Sequence, residues 1–110
     1  MNEPIDYLEL HGGDLPASKE FYRAAFGWSF VDYGPDYAAF EGAGIDGGLV
    51  ASASEGQPPL VILKAADLED ALSRVEAAGG TVVQPIFEFP GGRRFHFRDP
   101  AGNVLGVWAE

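Results

Sequence analysis

His96 stands in a run where Arg94, His96 and Arg98 occupy alternate positions. Alternate residues of a strand share one face, so this face would carry an imidazole between two guanidinium groups. An imidazole changes charge near neutral pH and can act as a general base or as a ligand-orienting donor. A second run sets Tyr7 and Glu9 on one face of another strand. Glu9 could serve as a base, or it could pair with Arg94 or Arg98. Arg93 and Arg94 could recognise an anion bidentately. Trp108, Tyr7, Phe40 and Phe89 could stack on a planar ligand. Each of these has an ordinary structural alternative. His96 could be a satisfied hairpin histidine, Arg93 and Arg94 a solvated hairpin end, and the aromatics core or dimer-interface packing. His11, next to Gly12 and Gly13, has the setting of a surface-loop histidine.

Other chemistries are excluded by what the chain lacks. With no cysteine, there are no disulfides, no thiolate nucleophile and no Cys-ligated metal. Ser18 and Ser73 have no spacing that links them to His96 and an acid, so a Ser–His–Asp arrangement is not supported. Gly42-Ala43-Gly44 and Gly47-Gly48 are followed by neither Lys-Ser/Thr nor a helix, so they do not cradle phosphate.

The elements that must position these groups follow from pattern. Residues 5–10 alternate as a strand. Asp14 caps a helix with Pro16 in its first turn, an apolar stripe at Leu15, Ser18, Tyr22, Ala25 and Phe26, and a stop at Gly27. Strands are expected over 28–33, 37–41 and 45–52, the last weakened by Gly47-Gly48. A linker-like stretch covers 54–59. The order then repeats: a strand over 60–64, a helix capped by Asp67 and stopped at Gly79-Gly80, and a strand over 81–89. Pro85 marks that strand as an edge or bulged one. A hairpin over 93–98 and 104–109 closes the chain. The two Asp-Leu pairs, Asp14-Leu15 and Asp67-Leu68, lie 53 positions apart. Such repetition constrains architecture more than any single motif. The expected fold class is α+β, with two βαβββ modules in one domain over 1–110, module one about 1–53 and module two about 60–110.

The final hairpin allows a register argument. A turn over 99–103 that pairs Arg98 with Val104 also pairs Phe97 with Leu105, His96 with Gly106, Phe95 with Val107 and Arg94 with Trp108. Phe95, Phe97, Leu105 and Val107 would then pack under a helix. Arg94, His96, Arg98, Val104, Gly106 and Trp108 would line the other face, and a mixed polar and aromatic lining suits a small-molecule pocket.

At 110 residues the chain can bury a core, and an apolar content of 46% is globular. Its net charge of −10 argues against nucleic acid and against an anionic membrane surface as partners. Met1-Asn2-Glu3-Pro4 carries neither a basic start nor an apolar run. No signal peptide is therefore expected, and the expected location is cytoplasmic.

With Phe21-Tyr22 and Phe26-Gly27-Trp28 in the first half, and Ala77-Ala78-Gly79-Gly80 and above all residues 97–103 (Phe-Arg-Asp-Pro-Ala-Gly-Asn) in the second, the chain resembles the vicinal oxygen chelate superfamily. This is the glyoxalase, bleomycin-resistance and ring-cleaving dioxygenase group. The resemblance implies paired βαβββ modules in an open, curled sheet with helices on the outer face, and a homodimer. It also implies, in catalytic members, a divalent metal held by His, Glu or Gln. Carried over position by position, the ligand positions fall on Tyr7, Val61 and Gly106, with Asp46 the one acid in the remaining strand. Val61 and Gly106 offer no donor, and Tyr7 is a poor ligand unless ionised. The reading that follows is a binding protein with no metal and no cofactor. Tyr7, Glu9, Arg94, His96 and Trp108 would hold an aromatic or anionic small molecule. The alternative is a lyase- or dioxygenase-type enzyme, with a rearranged metal site from Glu9, Asp46 and His96, or with His96 or Glu9 as its catalytic base.

Overall fold

The computed structural model describes residues 3–51 and 57–110. The element order is β1 (Ile5–His11), α1 (Leu15–Phe26), β2 (Ser29–Asp32), β3 (Tyr37–Glu41), β4 (Gly47–Val50), β5 (Leu60–Lys64), α2 (Leu68–Ala77), β6 (Thr81–Phe89), β7 (Gly92–Arg98) and β8 (Val104–Ala109). The fold is α+β, built from two βαβββ modules, as the repeat implied. The chain divides into two compact units, one comprising Tyr7–Pro59 and the other Leu60–Glu110 with the chain up to Asp6.

In the first unit the strand order is β2-β3-β4-β1. β2, β3 and β4 form an antiparallel meander, while β4 runs parallel to β1. Asp14 caps α1 by accepting from the Ala17 N–H at 3.2 Å, and Gly27 ends it in the left-handed conformation. The core gathers Leu15, Ala38, Phe40 and Leu49. The stripe expected on α1 is buried only at Leu15, because Phe26 is 65% exposed and packs edge-on to Phe21 instead. β4 is shorter than the strand expected over 45–52. Ile45 and Asp46 precede it in a run of turns, where Gly42 and Gly44 both have positive φ. Residue 52, and residues 54–56 of the expected linker, lie outside the described residues.

Gly47 and Gly48 do not simply weaken β4. A Cβ at Gly47 would collide with the Phe40 ring and the Leu8 carbonyl, and one at Gly48 with the Tyr37 ring. Absent side chains on β4 let the aromatic rings of β3 lie across it.

In the second unit the order is β5-β8-β7-β6. β5 and β8 are parallel, and β6, β7 and β8 are antiparallel. β6 is the edge strand, with register shifts on both sides of Gln84, which is what Pro85 demanded. The β7–β8 register is the expected one, from Arg98 opposite Val104 to Arg94 opposite Trp108. Phe95 and Val107 are buried with Leu68 and Ala71 of α2, and Leu63, Leu72, Val75 and Phe97 pack against them. Asp67 caps α2 by accepting from the Asp70 N–H at 3.0 Å. The chain up to Asp6 joins this unit through the Pro4 carbonyl, which accepts from the Lys64 N–H at 3.0 Å. Among the described residues no helix is long and apolar enough to cross a membrane.

The turn that sets the register is fixed by Asp99. Its Oδ1 accepts from the Ala101 and Asn103 N–H groups, both at 2.9 Å, and its Oδ2 from the Asn103 amide at 3.0 Å. The Asn103 side chain, with help from backbone N–H groups, holds the Asp99 carboxyl below its ordinary range. A group with a depressed folded pKa adds stability above its unfolded pKa, and that stability is lost as pH falls through the folded value. Urea denaturation should therefore show Asp99→Ala less stable than wild type at pH 6. The difference should shrink once the pH drops below about 4, the ordinary Asp value. Phe95, fully buried under α2, should be costlier to truncate: Phe95→Ala is expected to lose about 3–5 kcal/mol in the same assay.

Candidate functional site

The two faces of the second unit's sheet differ in kind. α2 covers the face of Phe95 and Val107. The opposite face carries Arg94 and His96 from β7, Gly106 and Trp108 from β8, Ile62 and Lys64 from β5, and Phe87 and Phe89 from β6. The Arg94 guanidinium lies 5.3 Å from the Phe87 ring and 5.4 Å from the Phe89 ring. Phe89 in turn meets Trp108 edge-on at 6.1 Å. A cation over aromatic faces is stabilised by their quadrupoles while its planar donors stay pointed in fixed directions. The Trp108 indole N–H donates to Asp6 Oδ2 at 2.9 Å, and Lys64 Nζ sits 4.8 Å from the centre of its ring. Trp108 is thus held at its polar edge and covered by an ammonium.

His96 is half-buried, edge-on to Phe87 at 5.6 Å and directly opposite Gly106. The space at Gly106 is what positions it. A Cβ there would lie 3.3 Å from His96 Cδ2, 3.6 Å from His96 Nε2 and 3.5 Å from Ile62 Cγ1. The imidazole thus leans over the backbone of β8, where a longer residue 106 would project.

The first unit holds Tyr7 and Glu9 on β1, with Glu9 opposite Gly48 in the register. The hydroxyls of Tyr7 and Tyr37 share a hydrogen bond. Burial pushes the Tyr7 phenol above its ordinary pKa, and the nearby Glu9 and Asp46 carboxylates push it the same way, against the hydrogen bond from Tyr37. The phenol is protonated at neutral pH.

Sequence reasoning brought Arg94, His96 and Trp108 to one face, and the structure keeps them there. Tyr7 and Glu9 belong to the other unit. Three expectations are corrected. Arg93 turns to the helix side, where it forms a bidentate pair with Glu69 at 2.5 and 3.1 Å, so it does not join Arg94 in a clamp. Phe40 is buried against Trp28 over Gly47 and cannot stack on a ligand. His11 ends β1 opposite Val50 rather than lying in a loop. Sequence reasoning missed Phe87, Lys64, Asp6 and Tyr37. The alternation of Phe87, Glu88 and Phe89 was the available signal for the first of these. The rest depended on pairings between distant strands.

Three of the positions that the resemblance assigns to metal ligands do not suit a metal. Val61 is apolar, Gly106 has no side chain, and Tyr7 is a protonated phenol bonded to Tyr37. Among the described residues, no three His, Asp or Glu side chains cluster so as to hold an ion.

The paired modules carry the features of a family whose profile matches residues 4–107, the Glyoxalase/Bleomycin resistance protein/Dioxygenase superfamily. The chain belongs to this superfamily. CFP32 of Mycobacterium bovis, provisionally named a glyoxylase, is 29% identical over 94% of this chain and 44% of its own length. The anthracycline biosynthesis protein DnrV of Streptomyces peucetius is 32% identical over 93% of this chain and 45% of its own length. The chain therefore spans less than half the length of these relatives. A superfamily member from Vibrio splendidus 12B01, known as a crystal structure, superposes with a TM-score of 0.74 over 99% of this chain and all of its own. It is 18% identical and supports the fold.

The Tyr7 assignment can be checked by ultraviolet titration. Tyr7 should ionise above the ordinary pKa of about 10, and Tyr7→Phe should remove that step.

Proposed function

We propose that the protein is a small-molecule-binding member of the superfamily that works without a metal, and that it holds an aromatic or anionic ligand. The observation that carries this reading is His96 beside Gly106. Where the family resemblance places a ligand on the last strand, this chain has no side chain, and an imidazole from the neighbouring strand leans over the gap. Arg94 supplies planar donors for an anion, and Trp108 and Phe89 supply apolar area for a ring. The name of DnrV points to a polycyclic aromatic class of molecule, which agrees with such a surface. Tyr7 and Glu9 are proposed as further ligand contacts, each to be tested by its own substitution. A homodimer in the cytoplasm completes the proposal.

The name of CFP32 favours a second reading, an enzyme in which His96 or Glu9 is the base. Native mass spectrometry separates the two. The expected result is a protein free of stoichiometric divalent metal, and a bound metal at one per chain would overturn the binding reading. Titration with 2-naphthoate, followed by Trp fluorescence, should give saturable binding that Arg94→Ala weakens by about tenfold. An unchanged affinity would remove Arg94 from the site. If a turnover assay on any identified substrate shows loss of activity in His96→Ala with binding retained, the enzyme reading replaces the first.

A further inference from the structure

The first unit leaves a cluster of aromatic rings in the open at the end of α1. Phe21 is 59% exposed and Phe26 65%, and their ring centres lie 6.4 Å apart. Phe21 also meets Tyr22 edge-on at 5.1 Å, and Phe26 tilts against Trp28 at 6.2 Å. Tyr22 stacks on Trp28 at 4.7 Å, and Trp28 reaches the buried Phe40 at 5.0 Å. The rings thus run without a break from the core to solvent, and a contiguous apolar surface marks an interaction site where scattered apolar residues do not. The repeat supplies a control within the chain. Fifty-three positions on, Arg74 stands where Phe21 does and Gly79 where Phe26 does. α2 packs through Leu68 and Ala71, none of its large apolar side chains is exposed, and its outer positions include Glu69, Asp70, Ser73 and Glu76. A helix in this place in the module therefore does not need rings at its end, and those of α1 answer to something outside the chain.

We propose that the end of α1 is the face on which this chain pairs with a second copy of itself, with Phe21 and Phe26 of one copy against the same residues of the other. This rests on the homodimer of the proposed function and names its surface. Charge selects the partner. Between Tyr7 and Pro59 the sequence has eight acidic residues and two basic ones, and both basic ones, Lys19 and Arg23, are on α1. Lys19 pairs with Asp32 at 2.7 Å, and Arg23 with Glu20 through two bonds at 2.5 and 2.9 Å. These four charges on α1 and β2 cancel, in a chain whose net charge is −10. Two such chains repel each other over most of their surface, and a face of balanced charge is where they can approach. The same pairing leaves these cations committed within the chain, so they do not recruit an acidic partner of another kind. A two-fold axis brings the same patch to both sides, so ring meets ring, and aromatic pairs gain from edge and offset contacts. Phe40 and Gly47 lie on the sheet face opposite Glu9 and Gly48, so pairing through α1 leaves Tyr7 and Glu9 uncovered.

The test is sedimentation velocity of the whole chain from about 1 to 500 μM, a range that brackets micromolar association. The wild-type chain should form a dimer that dissociates on dilution. Phe21→Ser and Phe26→Ser should each weaken it at least about tenfold, the size expected of an interface anchor, whereas Val83→Ser, an exposed apolar residue of the other unit, should leave it unchanged. Thermal melts establish that each variant is folded before its association is read. A second measurement needs no substitution: in a mixture of isotope-labelled and unlabelled chain, filtered NOEs between copies should join the rings of Phe21 and Phe26. If the wild-type chain stays monomeric throughout, both this proposal and the homodimer fall. If a dimer forms but survives both substitutions, or its NOEs arise away from α1, the homodimer stands and this face is wrong.

Discussion

The three hydrogen bonds accepted by Asp99 fix the register of β7 on β8, and the chemistry of the second unit depends on that register. Successive strand residues point to opposite faces, so a slip by one position would exchange the two sets. Phe95, now fully buried beneath α2, would turn to the open face, and Arg94 and His96 would be driven against Leu68 and Ala71. Apolar burial under the helix and the turn chemistry therefore demand the same pairing. A short polar loop decides which side chains reach the open face.

Glycine contributes in a second way, through absent volume rather than through turns. Gly47 and Gly48 let Phe40 and Tyr37 lie across β4, and Gly106 lets His96 lean across β8. In both units a strand gives up its own side chain so that a neighbour's ring can occupy the space. The ring is then held by strand pairing on both sides, which restricts it more than an ordinary surface position would. In the second unit a side chain of one strand thereby fills the space over the next, on the same face.

Much of this was legible in the sequence, for identifiable reasons. The Asp14 and Asp67 caps, the edge character that Pro85 imposes on β6, and the whole β7–β8 hairpin depend on local chemistry, and local chemistry is written in consecutive residues. The face shared by Arg94, His96 and Trp108 followed from that hairpin. What was not legible depended on long-range pairing. The parallel neighbours β1–β4 and β5–β8 cannot be deduced from adjacent segments, and with them went Tyr37 beside Tyr7 and Asp6 beneath Trp108. Strand alternation alone puts Arg93 on the face opposite Arg94, and its partner there, Glu69, lies on a helix whose packing adjacent residues do not reveal. Phe26 satisfied the helical period of α1 and still faces solvent, since periodicity reports what could be buried and not what covers it.

The chain up to Asp6 belongs with the second unit, although a whole module separates the two in sequence. Pro4 extends its sheet edge, Glu3 neutralises Arg74, and Asp6 anchors the indole of Trp108. The duplicated halves are therefore not separable cassettes. A piece starting at residue 60 would begin life with a guanidinium left only Asp70 for a partner, an unanchored tryptophan and a strand edge short of one hydrogen bond, all of them met by a few residues that lie more than fifty positions upstream. The repeat describes how the sequence is written. The compact unit is offset from it by the first two residues of β1, which ties the beginning of the chain to its end.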